Sequence, residues 1–126
     1  MKTYNSLIVD DSAVMRKIVE KSLRQAGLPL TGVVEAANGI EGLSALEDYK
    51  PDIILSDINM PAMDGLEFVK QLQSRAEVKN IPVVMITTES SEAHVRQAIE
   101  NGARSYIRKP FTAEQVRDRI LPLLER

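Results

Sequence analysis

Cysteine is absent from this 126-residue chain, and histidine occurs once, as His94. The first absence removes disulfides, thiolate metal sites and cysteine nucleophiles together. Charge of one sign is not in excess either. The formal net charge is −2, which points to no general nucleic-acid or membrane-surface role. Long apolar runs are missing. The stretch after Met1–Ser6 is too short for a signal-peptide core, and nothing approaches a membrane span. Repeats, low-complexity tracts and internal linkers are missing as well. A single domain over 1–126 is expected, with no output domain in this chain, in a cytoplasmic protein.

The remaining sequence is organised around Asp57. That residue closes the apolar run Asp52-Ile53-Ile54-Leu55-Ser56 and opens Ile58-Asn59-Met60-Pro61-Ala62-Met63-Asp64-Gly65. A short continuous apolar run suits an interior strand of a parallel sheet, buried on both faces. Pro and Gly then stop the strand. Four more strands are expected, at Leu7–Val9, Val33–Val34, Ile81–Ile86 and Ser105–Ile107. Pro82 fits at the start of its strand, where a missing N–H is tolerated.

Helices alternate with these strands. The first has an apolar stripe of Met15, Val19, Leu23 and Ala26, with Val14 and Ile18 beside it, and stops at Gly27. Either Asp11 or Ser12 can cap it. Asn38 with Glu41 caps the second, whose apolar face is Ile40, Leu43 and Leu46. Asp64 with Glu67 opens the third, burying Leu66, Val69 and Leu72 with Phe68 a possible addition. Ser90 or Ser91 caps the fourth, which turns Val95, Ala98 and Ile99 inward, exposes His94 and ends at Gly102. Thr112 and Gln115 form a capping box for the fifth, whose apolar residues are Val116, Ile120 and Leu123 or Leu124. Pro122 is expected to kink or weaken its last turn.

Strict alternation implies an α/β fold, a doubly wound five-stranded parallel sheet with right-handed crossovers and five helices. In a parallel sheet the carboxyl ends of all strands lie along one edge, where ligands bind. Asp10 and Asp11, Asp57, Thr87 and Thr88, and Lys109 all fall there. Clustered carboxylates repel unless a positive charge neutralises them. With no His or Cys at those strand ends, oxygen ligation suits a hard cation such as Mg²⁺. An Asp carboxylate can also attack phosphorus to give an acyl phosphate. Lys109 would supply a point charge to the phosphoryl group, and the Thr87 hydroxyl a hydrogen bond.

Four motifs occur in order at strand ends: Leu7-Ile8-Val9-Asp10-Asp11, Asp57 to Gly65, Met85-Ile86-Thr87-Thr88, and Tyr106-Ile107-Arg108-Lys109-Pro110-Phe111. Together they resemble the response-regulator receiver domain family, of the single-domain chemotaxis type, over essentially the whole chain. The resemblance implies the flavodoxin-like strand order 2-1-3-4-5 and a phosphorylation switch of a two-component system. Asp57 would accept a phosphoryl group from a phosphohistidine. Asp11 and Asp57 would bind Mg²⁺ (Mn²⁺ can substitute) through carboxylates, Asp10 through water and Asn59 through its backbone carbonyl. Lys109 would pair with the phosphoryl group, and Lys109-Pro110 would be a cis peptide. Thr87 would swing toward the phosphoryl oxygen, and Tyr106 would turn from exposed to buried. Asn59 and Glu89 would tune the lifetime of the phosphorylated state, and Thr88 would narrow access to it. The chain would be a monomer that is no enzyme apart from its own phosphorylation and dephosphorylation.

The partners implied are a histidine kinase or phosphotransfer domain and a target such as a flagellar motor switch protein. Helix four, strand five and helix five would present the target face, near Arg96, Arg104, Arg108, Arg117 and Arg119. A phosphorelay shuttle, or a receiver excised from a larger regulator or hybrid kinase, is the alternative. The basic set Arg16, Lys17, Lys21 and Arg24 reads as a solvated helix face or as a kinase-docking one. Met60, Met63 and Met85 read as packing or loop residues. Two other classes fit less well. A haloacid-dehalogenase-type phosphatase wants a second acid two residues after its nucleophile, where this chain has Asn59. A flavodoxin-like cofactor binder wants a phosphate loop where Asp10-Asp11 would repel phosphate.

Overall fold

A computed structural model describes residues 2–88, 92–109 and 111–124. Strands and helices alternate along the chain: β1 (Tyr4–Val9), α1 (Ala13–Gln25), β2 (Leu30–Ala36), α2 (Gly39–Ala45), β3 (Ile53–Ser56), α3 (Gly65–Gln73), β4 (Val83–Thr87), α4 (Glu92–Asn101), β5 (Ser105–Arg108) and α5 (Ala113–Leu124). The five strands form one sheet in the order β2-β1-β3-β4-β5, every pair parallel. This is the expected doubly wound order, and it places β1 beside β3 at the switch point.

The apolar runs are continuous because each central strand is covered on both faces. Alternate residues supply two cores. Leu7, Val9, Ile54, Val83 and Met85 pack with Leu43 of α2, Phe68, Val69 and Leu72 of α3, and Ala98 of α4. Their neighbours Ile8, Ile53, Leu55, Val84 and Ile86 pack with Val19 and Leu23 of α1 and Val116, Ile120 and Leu124 of α5. Phe68 is completely buried, so the third helix turns it inward, while Leu66 is only half-buried.

The caps follow the side-chain chemistry. Ser12, not Asp11, caps α1, its Oγ accepting from the Met15 N–H at 3.2 Å. Asn38 Oδ1 accepts from the Glu41 N–H at 2.9 Å, and Glu41 reaches back to the Ala37 N–H at 3.0 Å. Asp64 caps α3 through the Glu67 N–H. Thr112 and Gln115 make a reciprocal pair at 3.0 and 3.1 Å, the capping box expected from their spacing. Gly27 follows α1 with φ +91°, a conformation open to glycine without strain. Ser90 and Ser91, the expected caps of α4, lie outside the described residues.

Several expectations need correction. The strand expected at Val33–Val34 runs from Leu30 to Ala36, because pairing with β1 extends it beyond its apolar centre. The fourth strand is Val83–Thr87 and begins after Pro82, whose carbonyl still accepts from the Ile54 N–H. Val14, Ile18, Ile40 and Ile99 are exposed, at 71, 44, 53 and 41 %. Each stands to the side of a stripe that is narrower than its apolar content suggests. α5 continues through Pro122 to Leu124. Its missing N–H falls in the last turn, and the residue one turn earlier, Asp118, is exposed to water that can solvate the freed carbonyl.

One glycine ties the fold to the strand end at Asp57. A methyl group on Gly65 would lie 2.1 Å from the Asp57 carbonyl oxygen and 2.8 Å from the Ile58 Cα. The Gly65 N–H also donates to the Ile58 carbonyl at 2.7 Å. The start of α3 is thus pressed directly on the loop that follows β3. Gly65→Ala should cost about 3 kcal/mol of stability in a urea titration, because backbone rather than a flexible side chain has to move. A loss under about 0.5 kcal/mol would show that the loop yields freely.

Candidate functional site

Each acidic residue of the site is placed by a strand end. Asp57 follows β3, and its N–H donates to the Val9 carbonyl at 2.9 Å, which continues the β1–β3 ladder one residue into the loop. Asp10 follows β1 and donates to the Ala36 carbonyl at 3.0 Å in the same way. Lys109 follows β5 and donates to the Thr87 carbonyl at 2.8 Å. Sheet pairing therefore sets the depth at which each side chain stands.

One carboxylate oxygen from each of Asp10, Asp11 and Asp57 lies within 4.8 Å of the others. Asp10 is buried and Asp11 exposed, with Asp57 between them. The Lys109 ammonium sits 3.1 Å from Asp10 Oδ2 and 3.7 Å from Asp57 Oδ2. Asp10 Oδ1 accepts from the Ser12 N–H at 2.9 Å, and Asp57 Oδ1 from the Ile58 N–H at 2.8 Å. Thr87 is fully buried at the end of β4. Three carboxylates against one ammonium leave the site short of positive charge, and its donors are all oxygens. That set fits a hard divalent cation.

Burial raises the Asp57 carboxyl above the usual carboxylate range, and the nearby Asp10 adds to the shift. Lys109 and the backbone N–H groups of Ile58 and Asn59 oppose it.

Other expected residues stand as follows. Asn59 is exposed two residues beyond Asp57, and Thr88 is exposed at the rim. Tyr106 is half-buried, and the Arg119 guanidinium lies 5.4 Å from its ring centroid, within reach of a cation–π contact. Glu89 and Pro110 lie outside the described residues, so its lifetime-tuning position and the cis peptide are not placed. His94 is exposed on α4. The basic face of α1 is not uniform. Lys17, Lys21 and Arg24 are exposed, whereas Arg16 turns in toward Glu35 and the Asp10 carbonyl. Sequence reasoning passed over Ser12 as a partner of Asp10 and passed over Glu35 altogether, and it placed Arg16 on a solvated or kinase-docking face rather than against Asp10. A basic residue one turn into a helix that follows an acidic strand end was the signal for Arg16. For Glu35 there was none.

The family profile for the response regulator receiver domain matches residues 6–121. The chain is 38% identical over 115 residues to chemotaxis protein CheY1 of Helicobacter pylori, covering 90% of this chain and 91% of that protein. Among solved structures, the chemotaxis response regulator CheY4 of Vibrio cholerae superposes with a TM-score of 0.84 at 35% identity, covering 98% of this chain and all of that one. The receiver domain of a signal transduction histidine kinase from Syntrophus aciditrophicus superposes at 0.85 with 29% identity, over 98% and 91%. The chain belongs to the response regulator receiver domain family.

A pH dependence follows from the partly buried Asp57. Its folded-state carboxyl titrates above its unfolded one, so the folded protein binds the extra proton more readily. The metal-free protein should therefore lose stability as pH rises from the ordinary carboxylate range through the raised value. Asp57→Asn should flatten that part of the curve and raise the melting temperature at neutral pH. Thermal melts in EDTA across acidic to neutral pH read this directly, and parallel curves for the two proteins would refute it.

Proposed function

We propose that the chain is a phosphorylation-activated signalling switch of a two-component system, with Asp57 as phosphoacceptor. The carrying observation is the convergence of Asp10, Asp11, Asp57 and Lys109, from three strand ends, on one point of the sheet edge. A carboxylate oxygen of Asp57 attacks phosphorus, the bond from phosphorus to the donor's histidine nitrogen breaks, and an aspartyl phosphate forms. Attack of water on phosphorus later restores the carboxylate and releases inorganic phosphate. Both steps ask the protein mainly for positioning and charge stabilisation. The protein catalyses these two steps on itself and turns over no metabolite.

Asp10, Asp11 and Asp57, with the Asn59 carbonyl, would hold Mg²⁺ or Mn²⁺, which supplies charge neutralisation for the phosphoryl oxygens. Lys109, now shared between Asp10 and Asp57, pairs with the incoming phosphoryl group. Thr87 offers its hydroxyl from the end of β4, and Tyr106 reports the change on the neighbouring strand. The register supports that coupling, since Met85 pairs with Tyr106 and Thr87 with Arg108. Such a switch is a two-state element biased by a local change of charge.

The cytoplasm is the compartment this reading requires. Among the described residues no helix is long and apolar enough to cross a membrane. A histidine kinase or phosphotransfer domain is the donor. Similarity to chemotaxis proteins favours a flagellar motor switch protein as the target. Similarity to a kinase's receiver supports a second reading as a receiver from a hybrid kinase or phosphorelay.

Incubation with Mg²⁺ and acetyl phosphate should give a hydroxylamine-labile adduct of one phosphoryl group, visible by intact-protein mass spectrometry. It should disappear in Asp57→Asn. An adduct that persists there, or turnover of a stable phosphomonoester with no adduct, would favour another chemistry. Mg²⁺ at one hundred times its dissociation constant should stabilise the protein by about 2.7 kcal/mol, and Asp11→Ala should remove most of that gain. Lys109→Ala should keep Mg²⁺ binding yet lose phosphorylation-dependent partner capture. Capture that still responds to phosphorylation would take the lysine out of the switch.

A further inference from the structure

Arg16 stands at no strand end, yet it touches the acidic cluster from behind. It lies in the first turn of α1. One terminal guanidinium nitrogen donates to the backbone carbonyl of Asp10 at 2.5 Å. Its Nε donates to Glu35 Oε1 at 2.8 Å. Glu35 belongs to β2 and pairs with Ile8, two residues before Asp10. Its second oxygen accepts from Lys17 Nζ at 2.6 Å, and both cations hold its carboxyl below the usual range. The Arg16 side chain is 16 % exposed and that of Glu35 24 %, so the pair is largely shielded from water.

Asp10 is thereby held at every polar atom. Its N–H is on Ala36, Oδ1 on the Ser12 N–H, Oδ2 on Lys109 and its carbonyl on Arg16. The last contact has a separate consequence. The Asp10 carbonyl shares a planar peptide unit with the Asp11 nitrogen and Cα. Fixing the tilt of that plane fixes the Asp11 Cα and the N–Cα axis about which the Asp11 side chain is carried. Asp11 itself is exposed and is not the cap of α1, so its backbone is the part the fold can set.

We propose that Arg16, braced by Glu35, is a positioning residue that orients the Asp11 carboxylate for a divalent cation. This rests on the metal reading above. A different role makes the opposite prediction. As a nearby cation, Arg16 repels Mg²⁺, and if charge alone mattered its removal would tighten binding. Positioning predicts that removal weakens binding.

The test measures Mg²⁺ affinity of the unphosphorylated chain by competition with Mn²⁺, followed by Mn²⁺ electron paramagnetic resonance. Arg16→Gln should weaken Mg²⁺ by roughly tenfold, the scale of residues that orient metal ligands. Arg16→Lys keeps the charge but loses the planar fork that spans carbonyl and carboxylate, and should recover only part of that loss. Melts in EDTA should show both variants folded, with melting temperatures within a few degrees of the wild type. Unchanged or tighter Mg²⁺ binding in Arg16→Gln overturns the inference. Should that variant fail to fold, wild-type affinity in Arg16→Lys overturns it equally. A wild-type protein that takes up no Mg²⁺ overturns the metal reading itself, and this inference with it.

Discussion

Like charges gathered at one edge of the sheet are the constraint on which the site depends. Asp10 is buried and Asp57 nearly so, and carboxylates in such surroundings are destabilised both by lost hydration and by each other. Among the described residues the fold answers with one ammonium. Lys109 reaches both acids from β5, on the far side of β4, and is itself largely buried by doing so. One cation does not balance three carboxylates. That shortfall suits the divalent cation proposed for the site. On the proposed reading, a phosphoryl dianion at Asp57 would compete for the same lysine.

Much of the fold could be read from the sequence, because it is written in local patterns. Continuous apolar runs marked strands covered on both faces. Asn38 with Glu41, Asp64 with Glu67 and Thr112 with Gln115 marked helix starts whose hydrogen bonds the structure contains. What could not be read was the width of each buried stripe. Val14 and Ile18 sit at helical spacing from core residues yet face water. The curvature of the sheet and the reach of each helix over it decide such positions, and neither is local. The length of β2 was hidden for a similar reason. Its ends, Leu30 and Glu35-Ala36, are strand only because β1 pairs with them, a register shift bypassing Thr31.

The site was legible to the extent that it obeys a topological rule. Parallel strands bring their carboxyl ends to one edge, so Asp10, Asp11, Asp57, Thr87 and Lys109 could be assembled from positions alone. The rule says nothing of residues that approach from a helix. Arg16 reached the cluster through the backbone of Asp10, and its partner Glu35 lies on a strand whose side chains otherwise read as ordinary alternation. An ion pair of this kind joins three elements through one carbonyl oxygen, which a pattern of residue types cannot express.

On the proposed reading, a change of charge at Asp57 would travel by way of Tyr106. β5 is one of the two edge strands, held on one side only, by β4. Its last contact with the site is the bond from the Lys109 N–H to the Thr87 carbonyl. If the proposed switch operates, a threonine drawn toward a phosphoryl group, or a lysine drawn away from Asp10, would act on the same short strand that carries Tyr106. That ring is half-buried, with the Arg119 guanidinium over it from α5. A side chain fixed in a tight core could not respond, and one wholly in water would have nothing to report. The ring packs against the apolar core and also meets the Arg119 guanidinium, a cation–π contact worth about 0.5–1 kcal/mol at an exposed site. Were the ring to turn as proposed, Arg119, which lies over it, is the residue through which α5 would feel the change.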